Sequence, residues 1–131
     1  MSADSLRDYA AQGDRIKVLD GTCLFQPGDE GRAFLIVVSG VVRVEQPNSA
    51  GRTIVLYRVR AGDSCVLTTT CLLSARPYSG YGYAEGAVTA VAIDADRFRR
   101  LQAQEAWFQE LVFSRFRKRV GELTDEIDDL I

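Results

Sequence analysis

Short segments of strand length, some continuously apolar and some alternating apolar with polar, follow one another up to Ile93, and the period changes to that of a helix beyond Asp94. Ile16 to Leu19 and Thr22 to Phe25 are short strand candidates around an Asp20-Gly21 turn, and Gln26-Pro27-Gly28-Asp29 is a second turn. Phe34 to Val38 is a continuous apolar run of strand length. Ser39-Gly40 then predicts a turn into Val41 to Glu45, where Val42 and Val44 alternate with Arg43 and Glu45. Pro47 to Gly51 reads as a hairpin loop, Thr53 to Val59 as the returning strand, and Val88 to Ile93 as one more strand. Ahead of all these, Ser2 or Asp4 can cap a short helix over Leu6 to Ala11, closed by Gly13. Short strands with turns every 8 to 12 residues or so predict a β sandwich or barrel rather than βαβ units.

The stretch from Arg60 to Glu85 breaks that pattern. Gly62-Asp63 is a turn signal. Thr68 to Ser74 is a hydroxyl-rich piece with Leu72 and Leu73 at its apolar end, read as a one-turn helix. Arg76-Pro77 stops any helix, because a residue before proline is pushed out of the α region. Tyr78, Gly80, Gly82 and Ala84 then alternate with Ser79, Tyr81 and Tyr83, leaving little bulk on one face. A short helix pinned between strands, ringed by hydroxyls and one arginine, predicts a pocket for a small anion. Its candidate lining is Thr68, Thr69, Thr70, Cys71, Arg76 and Tyr78.

Past Ile93, Asp94 caps a short helix through Leu101, and a long helix begins near Glu105. Phe108, Leu111 and Val112 give its first part a wide apolar face, suited to packing on the β domain. From Phe116 the face narrows to Phe116, Val120, Leu123, Ile127 and Leu130, the spacing of a coiled-coil seam. This predicts a parallel homodimer. Charge on the helix is polarised, with Arg115, Arg117, Lys118 and Arg119 ahead of Glu122, Asp125, Glu126, Asp128 and Asp129. Acidic residues at a helix C-terminus oppose its dipole and no capping glycine follows, so the helix is expected to lead into another domain.

Composition narrows the chemistry. The 131 residues suit one domain, taken as a barrel with its N-terminal helix over residues 1–104 and a dimerisation helix over 105–131. With 16 basic and 18 acidic residues, the chain makes no electrostatic case for nucleic acid. It has no apolar run of membrane-spanning length and no signal-peptide core, so a cytoplasmic protein with no membrane partner is expected. Three cysteines without a Cys-x-x-Cys pair argue against a disulfide framework. Cys65 and Cys71 are candidates for redox sensing, against the alternative that they serve as small core hydrophobes. Histidine is absent, which removes His-based metal, haem and triad chemistry, disfavours an enzyme on a cupin-like barrel, and leaves no metal site or cofactor to assign.

The segment Gly28-Asp29, then Phe34-Leu35-Ile36-Val37-Val38-Ser39-Gly40-Val41-Val42-Arg43-Val44, resembles the first hairpin of cyclic-nucleotide-binding-like domains. Gly51 to Val59 and Gly62-Asp63 continue the likeness, and the order of cassette, last strand and long helix is similar to the sensory half of Crp/Fnr-type bacterial transcription regulators. The resemblance implies a mainly β fold with flanking helices: an antiparallel jelly-roll barrel followed by a long dimerisation helix. It also implies a homodimer that senses a small effector and reaches DNA only through a downstream domain outside this chain. In nucleotide-binding members the cassette carries a glutamate for the ribose and an arginine for the cyclic phosphate. Here Leu67-Thr68-Thr69-Thr70-Cys71-Leu72-Leu73 takes that place, Thr69 stands for the glutamate, and Arg76 follows a shorter spacer. A lost charge-assisted bond of roughly 1.5 to 3 kcal/mol lowers expected cyclic-nucleotide affinity by about one to two decades. The effector stays open, with a stand-alone dimeric module holding a vestigial pocket as the alternative reading.

Overall fold

The computed structural model describes residues 13–29, 33–74 and 76–130. The expected N-terminal helix over Leu6 to Ala11 lies outside the described residues. The strands are β1 (Asp14–Val18), β2 (Cys23–Phe25), β3 (Ala33–Pro47), β4 (Thr53–Val59) and β5 (Tyr81–Asp94). The helices are α1 (Val66–Ser74), α2 (Ala95–Gln104) and α3 (Ala106–Leu130). All pairings are antiparallel in the order β1-β5-β3-β4, and β2 pairs with β5 beside that path.

Ser39-Gly40 does not reverse the chain. β3 runs through it as one strand, and so does β5 through Gly86, which makes Tyr81 to Asp94 a single strand rather than a piece starting near Val88. Gly40 and Gly86 both have positive φ, 86° and 73°, and the β3–β5 register shifts between Ser39 and Val41. A bulge of this kind bends both strands together and changes which residues face inward. Before it, Leu35 and Val37 share a face with Ala90 and Ala92; after it, Val42 and Val44 lie opposite Ala84 and Gly82.

The bend gives the sheet two cores. Phe34, Ile36, Val91 and Ile93 pack under the helices against Leu72, Phe98, Leu101, Phe108, Leu111 and Val112. Val37, Val42, Val44, Val59, Ala84, Val88 and Ala90 line the barrel interior with Phe25, Cys65, Cys71 and Tyr78. The Phe34 to Val38 run is therefore apolar throughout because that half of β3 is covered on both faces. The Phe34, Phe98 and Phe108 rings meet at 5.2 to 5.8 Å, and burying each side chain stabilises by about 1.5 to 3 kcal/mol.

α2 starts where the sequence placed it: the Asp94 carboxylate accepts from the Arg97 amide at 2.9 Å. Glu105, extended at φ −115° and ψ 110°, ends α2 by donating to the Leu101 carbonyl. Its own carbonyl accepts from Phe108 and Gln109 and opens α3.

On the outer face of the barrel, Glu85 accepts from Arg58 at 3.0 Å and from Arg43 at 3.3 Å, and Arg43 also bonds Glu45. Burial raises the Glu85 pKa, but the hydrogen bonds from Arg58 and Arg43 outweigh it and hold the carboxyl below its ordinary value. A depressed carboxyl stabilises the fold above its unfolded pKa and loses that contribution as pH falls through the folded one. Glu85→Gln is accordingly expected to lower Tm at pH 7 and to flatten its decline below about pH 4, followed by thermal melts across the acid range.

A Cβ at Gly40 would overlap the Ala87 carbonyl oxygen and lie 3.1 Å from Val88 Cα, whereas one at Gly86 would meet nothing within 4 Å. Gly86→Ala thus carries only the left-handed backbone penalty, about 1 to 2 kcal/mol. Gly40→Ala adds a backbone clash and is expected to destabilise more in urea unfolding; equal losses would remove the close approach as the reason for this glycine.

Candidate functional site

The Gly62-Asp63 signal is a turn in the structure, closed by the Asp63 amide on the Arg60 carbonyl at 3.0 Å, with Gly62 at φ 86°. It is tied to β3 by Gly62 N–H to Val37 O at 2.7 Å and Val37 N–H to Asp63 O at 3.0 Å. α1 follows directly and has nine residues, longer than the single turn expected from the sequence. The Cys65 carbonyl begins it, accepting the Thr69 amide at 3.0 Å and the hydroxyls of Thr69 at 2.7 Å and Thr68 at 3.2 Å. Thr68 and Thr69 are buried, and their hydroxyls bond back to the helix as threonine does when no other acceptor is near.

Thr70 and Arg76 sit on the outside. The Arg76 amide closes α1 on the Cys71 carbonyl at 3.1 Å. Cys65, Cys71 and Tyr78 come together in the barrel core. Cys65 Sγ lies 3.4 Å from the Tyr57 hydroxyl, and Cys71 Sγ is 3.5 Å from the Pro77 carbonyl. Burial, then the neighbouring Cys65, pushes the Cys71 thiol up.

Tyr78 is held at both ends. Its amide donates to Asp29, its carbonyl accepts from Gly28, and its ring packs on Phe25 at 5.2 Å. A cavity of about 200 Å³ lies beside these two rings, lined also by Ile16, Leu24, Asp29, Leu35 and Ala92. Phe25 also covers Gly82, where any Cβ would overlap its ring. The alternation of small residues noticed in the sequence thus makes room for an aromatic side chain. Of the six candidate ligand residues, Thr68, Thr69, Cys71 and Tyr78 face inward, while Thr70 and Arg76 do not join them.

α3 reaches this region from the other side. Phe108, Leu111 and Val112 are buried against the sheet as the sequence implied. One turn further, Lys118 Nζ donates to Asp63 Oδ1 at 2.8 Å, Arg115 lies 3.7 Å from the same oxygen, and the Arg119 guanidinium stacks 4.6 Å from the Tyr57 ring centroid. These contacts were not foreseen residue by residue; the spacing of Arg115, Lys118 and Arg119, which puts all three on one helix face, is the signal that carries them. Of the proposed seam, Phe116 is half-buried and Val120 is exposed, and Phe113 extends the same row with 58% exposure. The side chains of Leu123, Ile127 and Leu130 lie outside what is described.

Among the described residues no group of three or more acidic or cysteine side chains is placed to hold a metal ion, and no helix is long and apolar enough to cross a membrane. Residues 15–105 match the cyclic nucleotide-binding domain. The catabolite activator protein of Thermus thermophilus has a similar fold, with TM-score 0.79, 20% identity, and coverage of 99% of this chain and 60% of its own. The c-di-GMP responsive global regulator CLP of Xanthomonas campestris gives TM-score 0.81 at 18% identity, covering 98% of this chain and 64% of its own. A CooA variant of Carboxydothermus hydrogenoformans gives 0.73 at 16%, covering 99% and 81%. The chain therefore spans less than two thirds of the first two of these proteins. No curated protein matches it by sequence.

The placement of the thiols gives a direct test. Cys23 is exposed while Cys65 and Cys71 are buried. A thiol reagent is expected to modify Cys23 in the native protein and the other two only in denaturant; fast native labelling of Cys71 would return it to the surface as a redox candidate.

Proposed function

The chain belongs to the cyclic nucleotide-binding domain family, and we propose that it is the effector-sensing part of a Crp/Fnr-like transcription regulator that works as a homodimer. A small effector bound at the barrel shifts α3 of each protomer, and a DNA-binding domain outside this chain follows the helices. The observation that carries this reading is the double attachment of α3. Its first turns are packed on the β domain through Phe108, Leu111 and Val112, and its next turn is salt-bridged to the Asp63 turn that leads into α1. Beyond that, Phe113 and Val120 leave an exposed apolar row. A change at α1 or its turn thus acts on the helix that carries the seam. The effect requires an effector with different affinity for the two helix arrangements.

A second reading, a dimeric module with a vestigial pocket, is favoured by the contacts already made around α1. The hydroxyls of Thr68 and Thr69 are already bonded to the Cys65 carbonyl, Phe25 occupies the space above Gly82, and Tyr78 packs on Phe25. Sedimentation tests the dimer that both readings share, and calorimetry tests the pocket. The wild type is expected to be a dimer at micromolar concentration, and Leu123→Asp or Val120→Asp a monomer, because a charge in an a/d seam opposes pairing. A monomeric wild type overturns both readings. Titration with cyclic AMP and cyclic GMP is expected to give no heat; micromolar binding instead means that Arg76, the α1 amides and the threonines rearrange into a working nucleotide cassette.

A further inference from the structure

A groove runs between β4 and α3, formed by the Tyr57 ring and the charged residues Arg58, Asp63, Arg115, Lys118, Arg119 and Glu122. Four of these are cations and two are carboxylates, so the groove carries excess positive charge. The available acceptors are shared. Asp63 Oδ1 serves both Lys118 and Arg115, Glu122 takes Arg119 at 3.0 Å, and Arg58 is drawn outward to Glu85. Two guanidinium donors, Arg115 Nε and Arg119 Nε, are buried without a hydrogen-bond partner. Their side chains are only 12% and 18% exposed. Buried donors of charged groups are costly to leave unmatched and are ordinarily satisfied by an acceptor or an ion.

We infer that this groove binds an anionic oxygen group, a phosphate or carboxylate, held by Arg115, Lys118 and Arg119 of α3 against the Asp63 turn. Arginine presents paired donors suited to such a group, and Lys118 adds a mobile point charge. The enclosed volume is about 20 Å³, enough for a water-sized portion of the ligand. One oxygen of the charged group enters and the rest of the group, with any larger molecule that carries it, stays outside, so no base or ring is enclosed. The bound anion competes with Asp63 for Lys118 and Arg115. It therefore loosens the salt bridge joining α3 to the turn before α1 as it binds. This rests on the sensory reading above and names the class of its effector.

The test is calorimetric titration and thermal melting of the full chain with inorganic phosphate and with sulfate, against chloride at equal ionic strength. Saturable binding of phosphate is expected, with Arg119→Gln or Arg115→Gln each weakening it about ten- to a hundredfold through loss of a charge-assisted bond. Lys118→Gln, at a half-exposed position, provides a variant whose folding is less at risk. Adenosine monophosphate, run in parallel, shows whether a free oxyanion or a phosphate on a larger molecule is preferred; both bind the same groove. No stabilisation beyond chloride, or equal stabilisation of wild type and the Arg115→Gln, Arg119→Gln double variant, overturns the site. Sedimentation of the same samples keeps the two readings apart, since a dimer that ignores phosphate sinks the groove and leaves the sensor standing.

Discussion

Everything in this fold depends on β3 and β5 bending at the same place. Gly40 lies so close to the Ala87 carbonyl that a side chain is excluded, and the bulge around it reverses which residues of β3 point inward. Without that shift, a strand that puts Phe34 and Ile36 under the helices would turn Arg43 and Glu45 into the barrel, where two charges would lose solvation. With it, Val42 and Val44 fill the barrel, and Arg43 and Glu45 form the outer network with Arg58 and Glu85. The two cores are consequences of one backbone irregularity.

The same bend decides how the helices and the barrel communicate. Val37, the last inward residue before the bulge, both accepts from Gly62 and donates to Asp63. The Asp63 turn is therefore fixed to the rigid centre of the sheet, and its carboxylate is presented to α3 rather than to solvent. Lys118 and Arg115 answer from the helix. A half-exposed pair of this kind contributes little to stability, roughly 0 to 1 kcal/mol. Its value is positional, because it joins the segment that starts α1 to the helix that carries the apolar row.

Much of this was legible in the sequence. The Pro47 to Gly51 loop located β4, the apolar Phe34 to Val38 run and the alternation over Val41 to Glu45 located the two parts of β3, Asp94 marked the start of α2, and the widening of the apolar face at Phe108, Leu111 and Val112 identified the part of α3 that packs on the sheet. What misled were the glycines inside long strands. Ser39-Gly40 has the composition of a turn, yet its positive φ serves a bulge, and only the partner strand's carbonyl reveals the difference. α1 was underestimated because threonine is a poor helix former, and here the hydroxyls of Thr68 and Thr69 join the amide of Thr69 on the Cys65 carbonyl. The family resemblance pointed to the right fold, but the contacts made by Tyr57, Asp63 and Arg119 join residues far apart in the chain and have no local signature.

The cassette and the helix compete for the role of ligand holder. In the cassette, the buried hydroxyls have acceptors, Arg76 is exposed, and Phe25 and Tyr78 pack on one another, so a ligand entering there must displace contacts already made. On α3 the reverse holds. Arg115 and Arg119 bring buried donors that find no acceptor, beside a carboxylate already claimed twice. Binding energy is gained most readily where groups are desolvated but unmatched, because their desolvation has occurred before the ligand arrives. On that ground the proposed recognition of charge falls on the Arg115 to Arg119 turn of α3 rather than on the loop after α1, which places it beside the apolar row and shortens the path from ligand to helix.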